Sequence, residues 1–200
     1  MWSDRIPPEY VDVMTLRGGP HGGVSPTDAM FDFFESVSRY TDVSEILEFG
    51  FLYGMSAAIQ LTVHPDASLT TYDIEKWDLD VGHTTFSSSL NAPELARLVW
   101  DDRFTFEHKS STHAIEQPKD KFDYAFVDGL HTFEGCYSDL NTVSSLNIPY
   151  VFVDNVLRPL VQEAINESDL LFIDELYYPQ IHPFTNETHI DKICLYEVTA

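Results

Sequence analysis

From residue 45 onward, short apolar segments alternate with segments whose apolar residues recur at helical spacing. The apolar segments have the length of strands, and three of the seven end in glycine or asparagine. Strands that alternate with helices require right-handed crossovers, which build a mostly parallel sheet with helices on both faces. We therefore predict an α/β fold with a single doubly wound, mostly parallel seven-stranded sheet. The predicted strands are EILEFG, SLTTYDIE, RFTFEH, FDYAFVDG, YVFVDN, LLFIDELYY and DKICLYEV.

The first and last parts of the chain depart from this alternation. LLFIDELYY and DKICLYEV have no helix between them, which predicts that this final pair contributes an antiparallel edge strand and that the C-terminal strand is antiparallel. Residues 1–24 include RGGPHGG and are expected to form a loose N-terminal arm, so that residues 25–200 make the folded domain. Ser25 is the predicted N-cap of the first helix, and Pro26 occupies its first turn.

The composition is strongly acidic. Eleven Lys and Arg against 33 Asp and Glu give a net charge of −22, which repels phosphate backbones and attracts cations. Nucleic acids are therefore disfavoured as partners, although the same charge also suits solubility or a saline environment. Cys136 and Cys194 are too few for a disulfide framework or a zinc site. The sequence has neither a signal peptide pattern nor an apolar run of about 18 residues. We therefore expect a cytoplasmic location and no membrane partner.

Polar residues gather where the predicted strands end. Asp73, Asp128, Asp154 and Asn155 each follow an apolar segment directly. In open α/β sheets, ligands bind beyond the carboxyl ends of the strands, so this pattern predicts a binding site there. The alternative for any single position is a turn or capping role, because turns favour the same residue types.

The turn after the first strand, EFGFLYGMS, carries Glu48, Gly50, Gly54 and Ser56. Glycines between a strand and a helix let the backbone approach a ligand closely, and the helix supplies free N–H donors. Leucine stands where a dinucleotide fingerprint needs its second glycine, so that pattern fails. Asp73 ends the second strand 23 residues after Gly50, where an acid can accept both hydroxyls of a ribose.

With this turn and acid, the chain resembles the class I S-adenosylmethionine-dependent methyltransferases, which have a Rossmann-like fold. It is most similar to the metal-dependent O-methyltransferases of the catechol O-methyltransferase type, whose first motif has the form E-x-G-x-x-x-G-x-S. The resemblance implies that Glu48 and the turn from Gly50 to Gly54, with Ser56 in the same motif, bind the methionine part of the cofactor. It also implies that Asp73 binds the ribose and that Ser111, in HKSS, lies near the adenine.

The same resemblance gives a function to the polar ends of the fourth and fifth strands. That family holds Mg²⁺ or another divalent cation with an aspartate after one strand and an Asp-Asn pair after the next, which implies Asp128, Asp154 and Asn155 as ligands here. Oxygen ligands of this kind suit Mg²⁺. His131 lies where the catechol enzymes carry a catalytic lysine, and a histidine can remove a proton near neutral pH.

The function implied is methyl transfer from S-adenosylmethionine to a hydroxyl of a small diol, either catechol-like or a sugar. The sugar is included because DGLH also resembles sugar-modifying and antibiotic-tailoring methyltransferases. Three alternatives remain: a non-catalytic S-adenosylmethionine-binding protein, a dinucleotide oxidoreductase and a nucleic-acid methyltransferase. The last is disfavoured by the net charge of −22 and by the absence of an Asp/Asn-Pro-Pro-aromatic motif. A homo-oligomer is compatible with these features.

Overall fold

A computed structural model of the chain describes residues 4–8, 11, 27–74, 92–181 and 188–199. Every predicted strand is present, with one described α-helix before the first strand and four others between strands. The strands are β1 (Glu45–Phe49), β2 (Ser68–Tyr72), β3 (Phe104–Glu107), β4 (Tyr124–Val127), β5 (Tyr150–Val153), β6 (Leu170–Ile181) and β7 (Thr188–Val198). The α-helices are α1 (Asp28–Glu35), α2 (Met55–Val63), α3 (Ala92–Trp100), α4 (Phe133–Ser145) and α5 (Pro159–Asn166).

The seven strands form one sheet in the order β3-β2-β1-β4-β5-β7-β6. The first five pair in parallel, whereas β7 runs antiparallel to both β5 and β6. The predicted doubly wound sheet with an antiparallel C-terminal strand is therefore confirmed. Within the final pair, β6 forms the edge of the sheet and β7 lies between β5 and β6. Hydrophobic periodicity gives the same strands for either order, since it carries no information on which strand pairs with which.

The first helix begins two residues later than its sequence predicts. Thr27 has an extended backbone, and its hydroxyl accepts a hydrogen bond from the Met30 N–H at 3.2 Å. Thr27 is therefore the N-cap, and Asp28 follows it in the first turn near the positive end of the helix dipole. Ser25 and Pro26 lie outside the described residues.

The parallel strands β4 and β5 are buried on both faces, which explains why their sequences are almost continuously apolar. In β4, Tyr124 and Phe126 join the cluster on one face of the sheet, and Ala125 and Val127 join the cluster on the other. Within the described part of the chain, no helix has the length and apolar character needed to cross a membrane.

Candidate active site

The turn between β1 and α2 depends on two glycines with left-handed backbones. Gly50 has φ +88°, and Gly54, the N-cap of α2, has φ 76°. A Cβ atom on Gly50 would lie 2.2 Å from the backbone oxygen of Asp128. No side chain fits at that distance, so glycine is required for the turn to pass directly over the end of β4.

Asp73 fixes the same turn from the end of β2. Its Oδ2 atom accepts hydrogen bonds from the backbone N–H groups of Phe51 at 2.8 Å and Leu52 at 3.3 Å. Leu52 has φ 47°, an uncommon value for a branched side chain that these hydrogen bonds help to hold. The acid predicted from the sequence to bind a ribose therefore also shapes the glycine turn.

A cavity of about 580 Å³ lies over the carboxyl ends of β1, β2, β3 and β4. This volume is within the usual range for pockets that hold a small ligand. Among the residues expected to form the site, the cavity is lined by Gly50, Asp73, Ser111, Asp128 and His131.

The cavity combines acidic side chains with apolar walls. Its described lining includes the carboxyl groups of Asp73, Asp128, Glu134 and Asp139 but no lysine or arginine. Two apolar side chains that are otherwise exposed, Ile74 at 59% and Leu130 at 62%, also border it. Such a lining favours a ligand that carries positive charge and has a flat apolar part.

Glu48 lies beneath the glycine turn and is not among the described lining residues. It is fully buried, and its Oε1 atom accepts hydrogen bonds from Ser56 Oγ at 2.6 Å and Gln60 Nε2 at 3.1 Å. Burial raises the pKa of Glu48 to about 8. Among described residues, neither its Oε2 atom nor the hydroxyl of Thr71, its register partner on β2, has a hydrogen-bond partner. This environment suits a protonated Glu48 side chain that links β1 to α2.

Gly54 and Ser56, like Glu48, are not among the described lining residues of the cavity. Gly54 gives α2 its start, and its backbone oxygen accepts a hydrogen bond from Ala58 at 2.9 Å. Ser56 is buried and donates to Glu48. Within the described structure these two residues therefore support the turn from below.

Asp128 and His131 form a pair at the end of β4. The distance between His131 Nε2 and Asp128 Oδ1 is 3.1 Å, and both side chains are partly exposed to the cavity. Burial raises the pKa of Asp128, whereas its hydrogen bond with His131 opposes that rise. An ionised Asp128 carboxylate accepts a hydrogen bond from Nε2–H of the imidazole ring, and in that tautomer Nδ1 is the basic atom.

The Asp154–Asn155 pair lies deeper than Asp128 and does not border the described cavity. The hydroxyl of Tyr178 donates to both carboxylate oxygens of Asp154, at 2.6 and 2.8 Å. Burial, followed by the negative charge of Asp128, raises the pKa of Asp154 well above its ordinary value. Asn155 has φ 55°, and its amide nitrogen donates to Asp191 Oδ2 at 2.7 Å.

Among described residues, no group of three or more His, Cys, Asp or Glu side chains is placed to hold a metal ion. The expected set of Asp128, Asp154 and Asn155 contains only two residues of those types, so it is assessed by its own chemistry. All of its metal-binding atoms would be oxygens. The negative charge of Asp128 makes ionisation of Asp154 less favourable, and a bound cation would relieve that repulsion. Tyr178 occupies one lone pair on each Asp154 oxygen, which leaves acceptor capacity on both. This donor set fits a hard divalent cation.

Three residues of this region were missed at the sequence level: Asp139, Tyr178 and Asp191. Asp139 occupies a position on the buried stripe of α4, between Cys136 and Leu140, where an apolar residue is expected. Asp191 similarly interrupts a largely apolar strand and is only 3% exposed. A carboxylate inside an apolar pattern is the signal that could have found both. Tyr178 gives no such signal, because tyrosine is common in strands.

The comparisons with known proteins agree with this geometry. A profile of the methyltransferase domain family matches residues 47–153, more than half of the 200-residue chain. The match runs from β1 to β5 and so includes the glycine turn and the cavity. No curated protein matches the chain by sequence.

Solved structures of methyltransferases have the same fold. A provisionally assigned O-methyltransferase from Klebsiella pneumoniae is 22% identical, with a TM-score of 0.65 over 97% of this chain and 91% of its own. The O-methyltransferase from Bacillus cereus, solved with S-adenosylhomocysteine, is 15% identical, with a TM-score of 0.59 over 96% and 94%. TomG from Streptomyces achromogenes, an O-methyltransferase of tomaymycin synthesis solved with S-adenosylmethionine, is 17% identical, with a TM-score of 0.61 over 96% and 90%.

At these identities the solved structures establish the fold alone, whereas the profile match identifies the family. This match includes the glycine turn, Asp73, Asp128 and Asp139, whereas Asp154, Asn155 and Asp191 lie beyond it. The chain belongs to the methyltransferase domain family.

Proposed function

We propose that this protein transfers the methyl group of S-adenosylmethionine to a hydroxyl oxygen of a small diol, catechol-like or sugar. The observation that carries the proposal is the acidic cavity above the glycine turn. S-Adenosylmethionine carries a sulfonium, an ammonium and a flat base but no phosphate, which suits acidic groups between apolar walls. A dinucleotide would bring two phosphates to a lining without a described lysine or arginine, so the electrostatics disfavour it.

The cofactor is proposed to lie with its ribose at Asp73 and its methionine part along the turn from Gly50 to Leu52. This direction brings the sulfonium toward Asp128, and the negative charge of that carboxylate stabilises it. Glu48, Gly54 and Ser56 then act indirectly, by holding the turn in shape.

His131 is proposed as the general base. Its Nδ1 atom takes the proton of the acceptor hydroxyl, while the hydrogen bond from Nε2 to Asp128 holds the ring and stabilises the imidazolium that forms. The resulting oxyanion attacks the methyl carbon as the carbon–sulfur bond breaks, which releases S-adenosylhomocysteine. Placing the two reactants in line supplies much of the rate.

Asp128, Asp154 and Asn155 would hold a divalent cation, Mg²⁺ or a similar ion. When bound, such an ion lowers the pKa of the acceptor hydroxyl. Tyr178 and Asp191 orient Asp154 and Asn155 through their hydrogen bonds. The cation is proposed from the donor set and from the resemblance noted above.

The test begins with calorimetric titration of S-adenosylhomocysteine, followed by a methyl-transfer assay with catechols and sugar diols. Each acceptor is assayed with Mg²⁺ and again with EDTA. We expect cofactor binding in both conditions and turnover that EDTA reduces at least tenfold. Turnover that is unchanged by EDTA would refute the metal requirement, and a failure to bind the cofactor would refute the proposal as a whole.

His131→Ala should lower kcat at least a hundredfold while leaving the affinity for S-adenosylhomocysteine within about threefold. The matched control is His113→Ala, because His113 is exposed and does not line the described cavity. Binding of the cofactor without turnover on any diol would instead favour a non-catalytic S-adenosylmethionine-binding protein.

A further inference from the structure

Asp139 is a buried acid that the proposed mechanism does not use. It lies in the second turn of α4, is 4% exposed and borders the same cavity. The hydroxyl of Ser111 lies close enough to lower the pKa of this carboxyl, which opposes the effect of burial. A Cβ atom on Gly129 would lie 2.9 Å from Asp139 Oδ2, so the carboxylate reaches close to the loop that follows β4.

A buried carboxylate is costly, because its lone pairs are removed from water. Burial raises the pKa of Asp139 to about 6, yet the group is still mainly an anion at neutral pH. It can therefore accept hydrogen bonds from a ligand but cannot donate one.

The position of Asp139 determines which part of the cofactor it meets. The sheet order places β3 on the far side of β2 from β1. With the ribose at Asp73 on β2 and the sulfonium toward β1 and β4, the base must extend toward the loop after β3. Ser111 begins the 3-10 turn of that loop, and both Ser111 and Asp139 line the cavity.

We infer that Asp139 recognises the base of the cofactor by accepting a hydrogen bond from the 6-amino group of the purine. The inference rests on the proposed function. In this arrangement Ile74 and Leu130 cover the two faces of the ring, and Asp139 makes the polar contact at its edge. Asp139 is thus a specificity-determining residue that prefers a 6-aminopurine to purines without that donor.

The test compares two ligands on the unaltered protein: S-adenosylhomocysteine and its analogue with hydrogen in place of the 6-amino group. We expect calorimetry to give at least tenfold weaker binding of the analogue, because a buried hydrogen bond to a charged group is lost. Equal affinity for the two ligands would overturn the inference while leaving the proposed function intact. If neither ligand binds, the proposed function fails together with it.

Asp139→Leu assigns the effect to this side chain. Leucine has a similar shape and cannot accept a hydrogen bond. The dissociation constants of the two ligands should therefore have a ratio of no more than about two in this variant. The matched control is Asn141→Leu, the same kind of change at an exposed position of α4, which should retain the full ratio. A ratio in Asp139→Leu equal to that of the unaltered protein would overturn the inference.

Because Asp139 is buried, its variant is paired with a milder one. Ser111→Ala removes the hydroxyl that favours the ionised form of Asp139 and should reduce the ratio at least threefold without removing the acceptor. Thermal unfolding shows whether each variant is folded, and the comparison on the unaltered protein tests the inference without any substitution.

Discussion

Replacing Glu48 with glutamine should make the free energy of unfolding depend less steeply on pH. Glu48 is fully buried, and burial raises its pKa from an ordinary 4.5 to about 8. Between these values the folded chain keeps a proton on Glu48 that the unfolded chain has lost. Stability that is fully present below pH 4.5 is therefore lost progressively as the pH rises toward 8, and the loss is complete above that value.

The size of the effect follows from the separation of the two pKa values. The difference 8 − 4.5 is about 3.5 pH units, and one proton changes the free energy of unfolding by about 1.4 kcal/mol per unit. The product, about 5 kcal/mol, is an upper bound, because relaxation around the ionised group reduces it. A change of about 2–4 kcal/mol between about pH 5 and pH 8 is expected. Glutamine avoids this change, since it stays neutral and keeps the acceptor that Ser56 and Gln60 use.

Urea unfolding, followed by circular dichroism across this pH range, measures the effect. The difference in free energy of unfolding between Glu48→Gln and the unaltered protein should move in favour of the variant as the pH rises. Subtracting the two curves removes the titration of the other buried acids. Glu163→Gln, at an exposed position of α5, is the matched control and should parallel the unaltered protein. Parallel curves for Glu48→Gln would refute the reasoning, because they would mean that Glu48 titrates alike in the folded and unfolded chains.

Three further substitutions test the turn and the acids around it. Gly50→Ala should lower the free energy of unfolding by more than about 2 kcal/mol, because a Cβ atom would meet the backbone of Asp128; urea unfolding at the level of the unaltered protein would contradict this. Asp73→Ala should weaken the binding of S-adenosylhomocysteine at least tenfold in calorimetry, since the glycine turn loses the acceptor that orders it; unchanged affinity would argue against that role. Tyr178→Phe should cost about 1–3 kcal/mol in urea unfolding, because buried Asp154 loses its donor; a cost below about 0.5 kcal/mol would count against the hydrogen bond.

The strands could be predicted from the sequence because a buried parallel strand must be apolar on both faces and must end where polar groups reach water. That reasoning also located Asp73 and Asp128 at one edge of the sheet, where both border the cavity. Pairing order could not be predicted in the same way. An antiparallel β7 has the same alternation of residues at the edge as inside the sheet, so its position depends on tertiary packing.

The environment of Glu48 could be predicted better from the alternation of side chains along its strand than from the motif. Side chains two residues apart lie on the same face of a strand, so Glu48 shares its face with Ile46, which is buried in the core. The motif predicts that Glu48 contacts the cofactor, whereas the alternation of side chains along β1 places Glu48 on the face covered by α2. The environment of Asp154 could not be foreseen in this way, because Tyr178 reaches it from a strand that lies two positions away in the sheet.

The place of β7 in the sheet has a consequence for how the protein is made. β7 pairs with β5 and β6 at the same time, yet it follows both of them in the chain. While the chain is being synthesised, β5 can already join β4, but β6 has no described strand to pair with until β7 is available. Asp191, which holds the amide of Asn155, belongs to β7 as well. The candidate cation site can therefore be assembled only after residues 188–198 have left the ribosome, and until then Asp154 and Asn155 lie beside an open sheet edge.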